Sequence, residues 1–448
     1  YGCRGTPAAC PGHGSAMPLQ VSGFLKPFLN FYIRAVTANY FHKGRVFIMS
    51  KSDDGYRRGL AAGKAVGDRV GPAWTENLME WARTAYPAST HLDYWDEVLK
   101  LDRERMESVP SAARYPELQG LPDELRAERQ GFMEGCGGGP REVAFHYTWF
   151  YFISRRLNTR YVGFNQRANH CTAVYIRDSK EGGPLQGRNL DDVRRPPALE
   201  KLDPPRRGPD GKRRLITGGV SSAVLCDEEP TEIFPVDPWQ IMPADCKQVG
   251  DIVDFLTRYV EFWGPQNGII VDEEQNAVAF EKSNCRLGVR RSTDGTAAVT
   301  ACSYLIPEMK KFKAERSRLS LKLRGWDETS PDWVYWTGCD ARYERLLKLT
   351  AEANQRGATL EDMANIVTDH AVPFPERICL AGERSHRDDA DVNWTLISSA
   401  SVLEGPHRRT LFYRVEGSTP CYNSPPFLVP GPGVEMKREW KKGTRSAS

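Results

Sequence analysis

The chain has 448 residues, enough to bury one large hydrophobic core or two medium ones, and its 40% hydrophobic content is typical of a folded protein. Its 61 Lys and Arg residues are nearly balanced by 58 Asp and Glu residues, and a net charge of +3 excludes the strongly basic surface of a nucleic-acid-binding protein. No run of about eighteen apolar residues predicts a transmembrane helix, and the 11 cysteines, an odd number, argue against a complete disulfide framework.

The N-terminal extension, residues 1–52, differs in composition from the rest of the chain. It contains no Asp or Glu but many basic and aromatic residues. Organellar transit peptides share this composition, as do arms that lie on membrane surfaces or partner proteins, and a solvated extension wrapped over the body fits it equally well. We expect the extension to contact a membrane surface or a protein partner, and acid-poor composition favours an organelle such as the mitochondrion.

Residues 53–170 are predicted to form a mainly helical region. Glycines at positions 55, 59, 63 and 67 recur at every fourth residue and so lie on one face of a helix. Because glycine has no Cβ, such a face permits a close approach by a second helix. Farther along, residues 251–262 and 341–353 carry apolar side chains at three- and four-residue steps, which predicts two more helices.

Short β-branched or aromatic runs predict strands in the rest of the chain. These runs are 172–176, 219–225, 268–271, 277–281, 297–302, 394–403 and 410–415. Helices followed by strands with a few helices between them predict an α+β or layered αββα body over residues 171–433, before a basic tail at 434–448. Loops are expected at 135–140, 194–212 and 382–391, where Gly, Pro and charged residues are concentrated.

A predicted β-hairpin contains the residues with the most chemistry. Cys171 lies at the start of its first strand, and Arg188 to Asp191 lie at the end of its second strand. Antiparallel pairing brings these two ends together, because the turn lies midway between them. A thiol, a guanidinium and a carboxylate are therefore expected to share one site.

Each of these groups has a plausible role in nucleophilic catalysis. The thiolate is the reactive form of a cysteine, and a nearby arginine favours its negative charge. If the chain is cut between His170 and Cys171, the new α-amino group, with an ordinary pKa of about 8, can accept the thiol proton near neutral pH. Asp191 would then orient that amine or pair with Arg188. Spacing alone favours a plainer interpretation, namely a buried strand cysteine beside an ordinary ion pair.

The motif resembles a known superfamily, the cysteine N-terminal-nucleophile (Ntn) hydrolases. Cys-Thr followed sixteen residues later by Gly-Arg-Asn-Leu-Asp is similar to bile salt hydrolases, acid ceramidase and N-acylethanolamine acid amidase. Leu185-Gln-Gly is similar to the acyl-coenzyme A:6-aminopenicillanic acid acyltransferase branch, as are the segments 55–67, 268–281, 377–379 and 398–421. That branch is the closest resemblance.

The resemblance implies a four-layer αββα sandwich and a proenzyme that cuts itself to expose its nucleophile. It implies Cys171 as the nucleophile, its α-amine as the base, Arg188 as a polar neighbour and Asp191 as the partner of the amine. The substrate would be a small-molecule linear amide or acyl thioester. No metal or organic cofactor is implied.

Three positions depart from the family pattern. The family places an Asn in a Thr-Asn-His-Phe motif where this chain has Thr300-Ala-Cys-Ser303, and another Asn where this chain has the segment 218–222. Such Asn side chains stabilise the oxyanion, and loss of one donor costs about a hundred- to a thousandfold in rate. Ser221 or Ser222 would have to substitute. His170 stands where the acyltransferase branch commonly has Gly.

Two functions remain open for this sequence. The first is an active amidohydrolase or acyltransferase, which requires a cut between His170 and Cys171. The second is a catalytically silent family member that serves as a structural or interaction subunit, which expects an intact chain and a stable partner. An unrelated α+β protein with a chance likeness in its hairpin is the third alternative.

Overall fold

The computed structural model describes residues 52–67, 70–85, 89–107, 115–152, 171–193, 206–207, 214–219, 242, 246–262, 266–283, 286–292, 294–301, 303–311, 314, 339–373, 376–379, 393–405, 407–414 and 426–430. This part of the chain is a mixed α+β protein in which helices come first and two antiparallel sheets follow. The basic tail and the N-terminal extension, apart from Ser52, lie outside the described residues. No helix in these ranges combines the length and the apolar character needed to cross a bilayer.

Within the described ranges, five helices precede the first strand. They are α1 (Ser52–Val66), α2 (Pro72–Ala85), α3 (Tyr94–Glu107), α4 (Leu121–Cys136) and α5 (Pro140–Tyr151), with a short 3₁₀ turn at Pro116–Leu118. A buried cluster that includes Leu78, Val98 and Phe145 joins α2, α3 and α5. The helical region predicted before the hairpin is therefore present.

Helices α1 and α4 pack backbone to backbone through their glycines. A Cβ added to Gly59 would lie 1.8 Å from the carbonyl oxygen of Glu128, and one added to Gly131 would lie 2.1 Å from that of Tyr56. Since real Cβ atoms do not approach backbone this closely, only glycine allows the observed separation. The close helix contact predicted from the four-residue glycine spacing is confirmed.

The glycine-rich connection after α4 is shorter than the predicted loop at 135–140. Helix α4 continues to Cys136 and ends at Gly137, which has a φ of 67°. Such left-handed backbone favours glycine and commonly terminates a helix. Gly135 stays within the helix because it packs against the backbone of Leu60 and Lys64 in α1.

The first sheet has six strands in the order β11-β10-β9-β2-β1-β8. Its strands are β1 (Thr172–Ile176), β2 (Leu185–Val193), β8 (Thr296–Thr300), β9 (Asn393–Val402), β10 (Arg409–Arg414) and β11 (Phe427–Pro430). Strands β1 and β2 form the predicted antiparallel hairpin, with Thr172 opposite Asn189 and Ile176 opposite Leu185.

The second sheet has five strands in the order β3-β4-β5-β6-β7. They are β3 (Arg206–Arg207), β4 (Arg214–Gly219), β5 (Gln266–Val271), β6 (Ala277–Lys282) and β7 (Leu287–Arg291). The strand predicted at 219–225 overlaps β4 only at Gly219, since β4 begins earlier, at Arg214. Residues 220–225 lie outside the described ranges, so that part stays a prediction. Apolar and polar residues do not alternate regularly along the β4 sequence. Its hydrogen bonds to β5 join residues far apart in the chain, so local sequence did not reveal where this strand begins.

The helices described among the strands are α6 (Val249–Arg258), α7 (Cys339–Arg356) and α8 (Leu360–Val367). Helix α8 begins at a capping box in which the Thr359 side chain accepts from the Asp362 N–H and the Asp362 carboxylate accepts from the Thr359 N–H. This box satisfies two backbone donors that a helix start leaves without partners.

Alternate residues of β1 enter two different cores. Val174 and Ile176 belong to a buried cluster that also contains Leu346 of α7 and Met363 of α8. Ala173 and Tyr175 belong to a cluster that includes Ile269, Ala279 and Val299 and so joins the two sheets. A third cluster joins the second sheet to α6 through Ile270, Phe280, Ile252 and Phe255. Burial on both faces explains why β1 is apolar at nearly every position.

Candidate active site

Cys171 lies immediately before β1, where hydrogen bonds from two directions hold it. Its thiol donates to the main-chain oxygen of Asp191 at 3.4 Å, across the β1–β2 hairpin. Its own carbonyl oxygen accepts from the Ala301 N–H at 2.8 Å, just beyond the end of β8. Only 3% of Cys171 is exposed. The hairpin therefore brings the predicted nucleophile and Asp191 together in a buried site.

The Asp191 carboxylate is held by two side chains that lie far away in the sequence. Oδ1 accepts from the Thr395 hydroxyl at 2.6 Å, and Oδ2 accepts from Nη1 of Arg342 at 3.2 Å. Both Asp191 and Arg342 are 0% exposed. These two donors fix the orientation of the buried carboxylate.

A one-residue irregularity places Thr395 opposite Asp191. Along β2 and β9 the pairing is regular as far as Leu190 and Ile397, and then it shifts so that Asp191 pairs with Thr395 instead of Leu396. A bulge of this kind changes the direction of the following side chains. Here it supplies a hydroxyl, where regular pairing would supply an apolar side chain.

Arg188 lies on the other face of β2 from Gly187 and Asn189. A Cβ on Gly187 would meet Met363 and Val367 of α8, and Asn189 Nδ2 donates to the Ile378 carbonyl. Arg188 is half-buried and pairs with Ala173, a residue of the cluster between the sheets. Since adjacent strand residues point to opposite faces, Arg188 shares the face of Ala173, which packs against the second sheet.

Arg342 is the partner of Asp191 that the sequence reasoning missed. It supplies a buried cation to Asp191 from the first turn of α7. The available signal was its place in the apolar series of that helix, four residues before the buried Leu346 and eleven before the buried Ala353. An arginine in an apolar stripe is rarely buried without a carboxylate partner.

In the stretch that the resemblance sets against the family's Thr-Asn-His-Phe motif, Thr300, Ala301 and Ser303 are buried and are held from the second sheet. Asn267 Nδ2 donates to the carbonyl oxygens of Thr300, Ala301 and Ser303 at 3.1–3.3 Å. The Ser303 hydroxyl donates to Asp340 at 2.6 Å. An asparagine from β5 therefore lies beside the segment in which the sequence lacks one.

Several predicted site residues lie outside the described ranges. They are His170, on the amino side of the expected cut, and Ser221 and Ser222, the expected substitute oxyanion donors. Within the described ranges, no three His, Cys, Asp or Glu side chains are grouped so as to hold a metal ion. The chemistry that these contacts bring together is that of a thiol, a carboxylate, a guanidinium and a hydroxyl, and a place for Arg188 among them stays a prediction.

Comparison with known proteins gave no match, either among models of known protein families or among curated proteins. The resemblance to the cysteine Ntn hydrolases therefore depends on the motif residues quoted for it. Any function must be argued from the geometry around Cys171.

Proposed function

We propose that this chain is a cysteine amidohydrolase or acyltransferase that cuts its own backbone between His170 and Cys171. In this proposal Cys171 then attacks a small-molecule linear amide or acyl thioester through a thioester intermediate. The observation that carries it is the juxtaposition of the Cys171 thiol, 3.4 Å from the main chain of Asp191, with a buried Asp191 carboxylate that Arg342 and Thr395 hold in place.

The packing order of the elements supports an αββα sandwich. One buried cluster joins α7 and α8 to the first sheet, a second joins the two sheets, and a third joins the second sheet to α6. This is the layer order that the resemblance to Ntn hydrolases implies. Strand β1, which follows Cys171 directly, lies inside its sheet between β2 and β8.

The self-cleavage step needs only groups of the chain and water. The Cys171 sulfur attacks the carbonyl carbon of His170, and the C–N bond breaks as the C–S bond forms. The thiol proton passes to the departing nitrogen, which becomes the α-amine of Cys171. Water then hydrolyses the thioester, leaving a carboxylate on His170 and restoring the thiol.

The same groups act in turn on an external substrate. The α-amine accepts the thiol proton, and the thiolate attacks the carbonyl carbon of the substrate. The leaving amine takes that proton, and water or a second amine cleaves the thioester. Asp191 is suited to orient the α-amine because Arg342 and Thr395 fix its carboxylate and its main-chain oxygen accepts from the Cys171 thiol.

The silent-subunit alternative is favoured by one specific observation. Within the segment 300–303, the Ala301 N–H already donates to the Cys171 carbonyl, and the carbonyls of Thr300, Ala301 and Ser303 already accept from Asn267. These bonds fix the backbone beside Cys171 and engage the Ala301 N–H with the Cys171 carbonyl, so this N–H does not serve as an oxyanion donor. A silent protein would keep Cys171 and Asp191 as a structural contact, and association through the N-terminal extension stays a prediction in either case.

Intact-mass measurement of the purified full chain tests the proposal. We expect the unmutated protein to give two fragments that meet at residue 171, and Cys171→Ala to give one uncut chain. Cys379→Ala is the matched control, since Cys379 is another buried cysteine and lies in the cluster beneath the same sheet. It should still give two fragments. A single uncut mass for the unmutated protein would favour the silent subunit.

A further inference from the structure

Two side chains of the second sheet hold the segment at the end of β8. This segment, called here the β8 turn, is described at residues 300–301 and 303–306. Asn267 Nδ2 donates to three of its carbonyl oxygens, at 3.1–3.3 Å. The Glu281 carboxylate accepts from its N–H groups at Leu305 and Ile306, at 2.9–3.1 Å. An amide donor thus binds the first half of the turn and a carboxylate acceptor binds the second half.

Asn267 and Glu281 form one clamp because they are partners across the β5–β6 ladder. Cross-strand partners point to the same face, here the face of Ile269 and Ala279, which packs against the first sheet. Both side chains are fully buried. Burying a carboxylate is costly unless it is paired, and Arg290 Nε donates to Glu281 at 2.9 Å.

The clamped turn in turn holds the proposed nucleophile. Ala301 presents its carbonyl oxygen to Asn267 and its N–H to the carbonyl oxygen of Cys171. A chain of contacts therefore runs from β5 through Ala301 to the residue whose backbone must be cut. Because Cys171 lies immediately before Thr172, this bond fixes the main chain at the point where β1 begins.

We propose that Asn267, with Glu281 as its partner, is a positioning residue for Cys171. Holding Ala301 fixes the Cys171 carbonyl, and this sets the direction from which the thiol approaches the His170–Cys171 bond and later the substrate. A displacement of about 1 Å at a reacting group costs about a hundredfold in rate, so loss of the clamp should slow the chemistry before it unfolds the protein. The expected effect on the chemistry of Cys171 rests on the proposed function, whereas the expected effect on backbone order at Ala301 does not.

The first experiment measures self-cleavage in Asn267→Ala, which removes the donor. We expect the cut before Cys171 to slow by about tenfold or more. Asn267→Gln keeps the carboxamide donor and should recover most of the rate, which a purely space-filling role would not produce. Asn276→Ala is the matched control, because Asn276 lies at the far end of the same hairpin, where its side chain binds Asp272. It should cut at the unmutated rate.

The second experiment uses chains that carry the same substitutions and measures hydrogen exchange in the peptide containing Ala301, together with the rate of Cys171 alkylation by iodoacetamide. We expect Asn267→Ala to raise both rates by about tenfold, since the Ala301 amide is protected by its bond to Cys171. Asn267→Asp has the same shape without the donor and replaces Asn267→Ala if that variant does not fold. Asn276→Ala should leave both rates unchanged.

The two experiments separate the inference from the function. If the unmutated chain is never cut but Asn267→Ala raises exchange at Ala301 and alkylation at Cys171, the positioning stands and the proposed function fails. If the unmutated chain is cut and Asn267→Ala is cut equally fast, the inference is overturned and the function stands. Unchanged exchange at Ala301 and unchanged alkylation of Cys171 in both Asn267→Ala and Asn267→Asp would also overturn it.

Discussion

The Asp191–Arg342 pair makes the strongest energetic prediction. The two charges meet at 3.2 Å with both side chains 0% exposed, so water cannot replace either partner. Arg342→Met keeps most of the side-chain volume but removes the cation that donates to the buried Asp191 carboxylate. Removal of one partner from a buried pair costs about 3–5 kcal/mol, a large part of the 5–15 kcal/mol by which proteins are typically stable. We expect a loss of that size in the free energy of unfolding, measured by urea denaturation.

A double substitution and a surface control complete this test. Asp191→Asn combined with Arg342→Met removes both charges and should recover at least half of the loss, because no buried charge is left unpaired. Arg356→Met breaks the Arg356–Asp362 pair at 3.0 Å, where Arg356 is 60% exposed, and should cost less than about 1 kcal/mol. The reasoning is refuted if Arg342→Met costs no more than Arg356→Met, or if the losses of the two Asp191 and Arg342 substitutions simply add.

Three further predictions concern stability. Gly59→Ala should lower the free energy of unfolding by about 1–3 kcal/mol, because the added Cβ would clash with the backbone of α4. Gly250→Ala, where the added Cβ meets open space in α6, should raise the free energy of unfolding by up to about 1 kcal/mol. Equal effects of the two substitutions in urea denaturation would contradict the close packing of α1 on α4. Thr359→Ala should cost about 1 kcal/mol in the same assay through loss of the α8 cap, and no loss would argue against the capping box. The hydrogen bond from the Tyr259 hydroxyl holds the pKa of Glu117 below its usual value, so ionised Glu117 stabilises above pH about 4.3 and this contribution is lost as the pH falls through the lowered pKa. Glu117→Gln should therefore lower the melting temperature at pH 7 but not near pH 2, and a difference that persists in acid would oppose this.

The elements that the sequence predicted well are those whose evidence is local. The strand predicted at 172–176 has the same bounds as β1, because a β-branched run ends there at a polar turn. The glycine-spaced helix and its close partner followed from a four-residue repeat. The hairpin then placed Cys171 beside Asp191 through strand pairing alone.

The residues that the sequence did not reveal act over long separations. Arg342 lies 151 residues from Asp191, and Asn267 lies 34 residues from Ala301. No local pattern states which buried carboxylate an arginine will meet or which carbonyls an amide will bind. The register shift between Leu190 and Asp191, which pairs Asp191 with Thr395, could not be predicted either, since strand periodicity predicts regular pairing.

The most direct test of the central claim is to label the purified chain with a cyanobenzothiazole, which condenses stably with the amine and thiol of an N-terminal cysteine together. The full chain is incubated, denatured and labelled, and the site is read by mass spectrometry. Our account predicts a stable label on a fragment that begins at Cys171, retained in Cys379→Ala and absent from Cys171→Ala. An unlabelled, uncut chain from the unmutated protein would contradict the proposal that Cys171 becomes an N-terminal nucleophile.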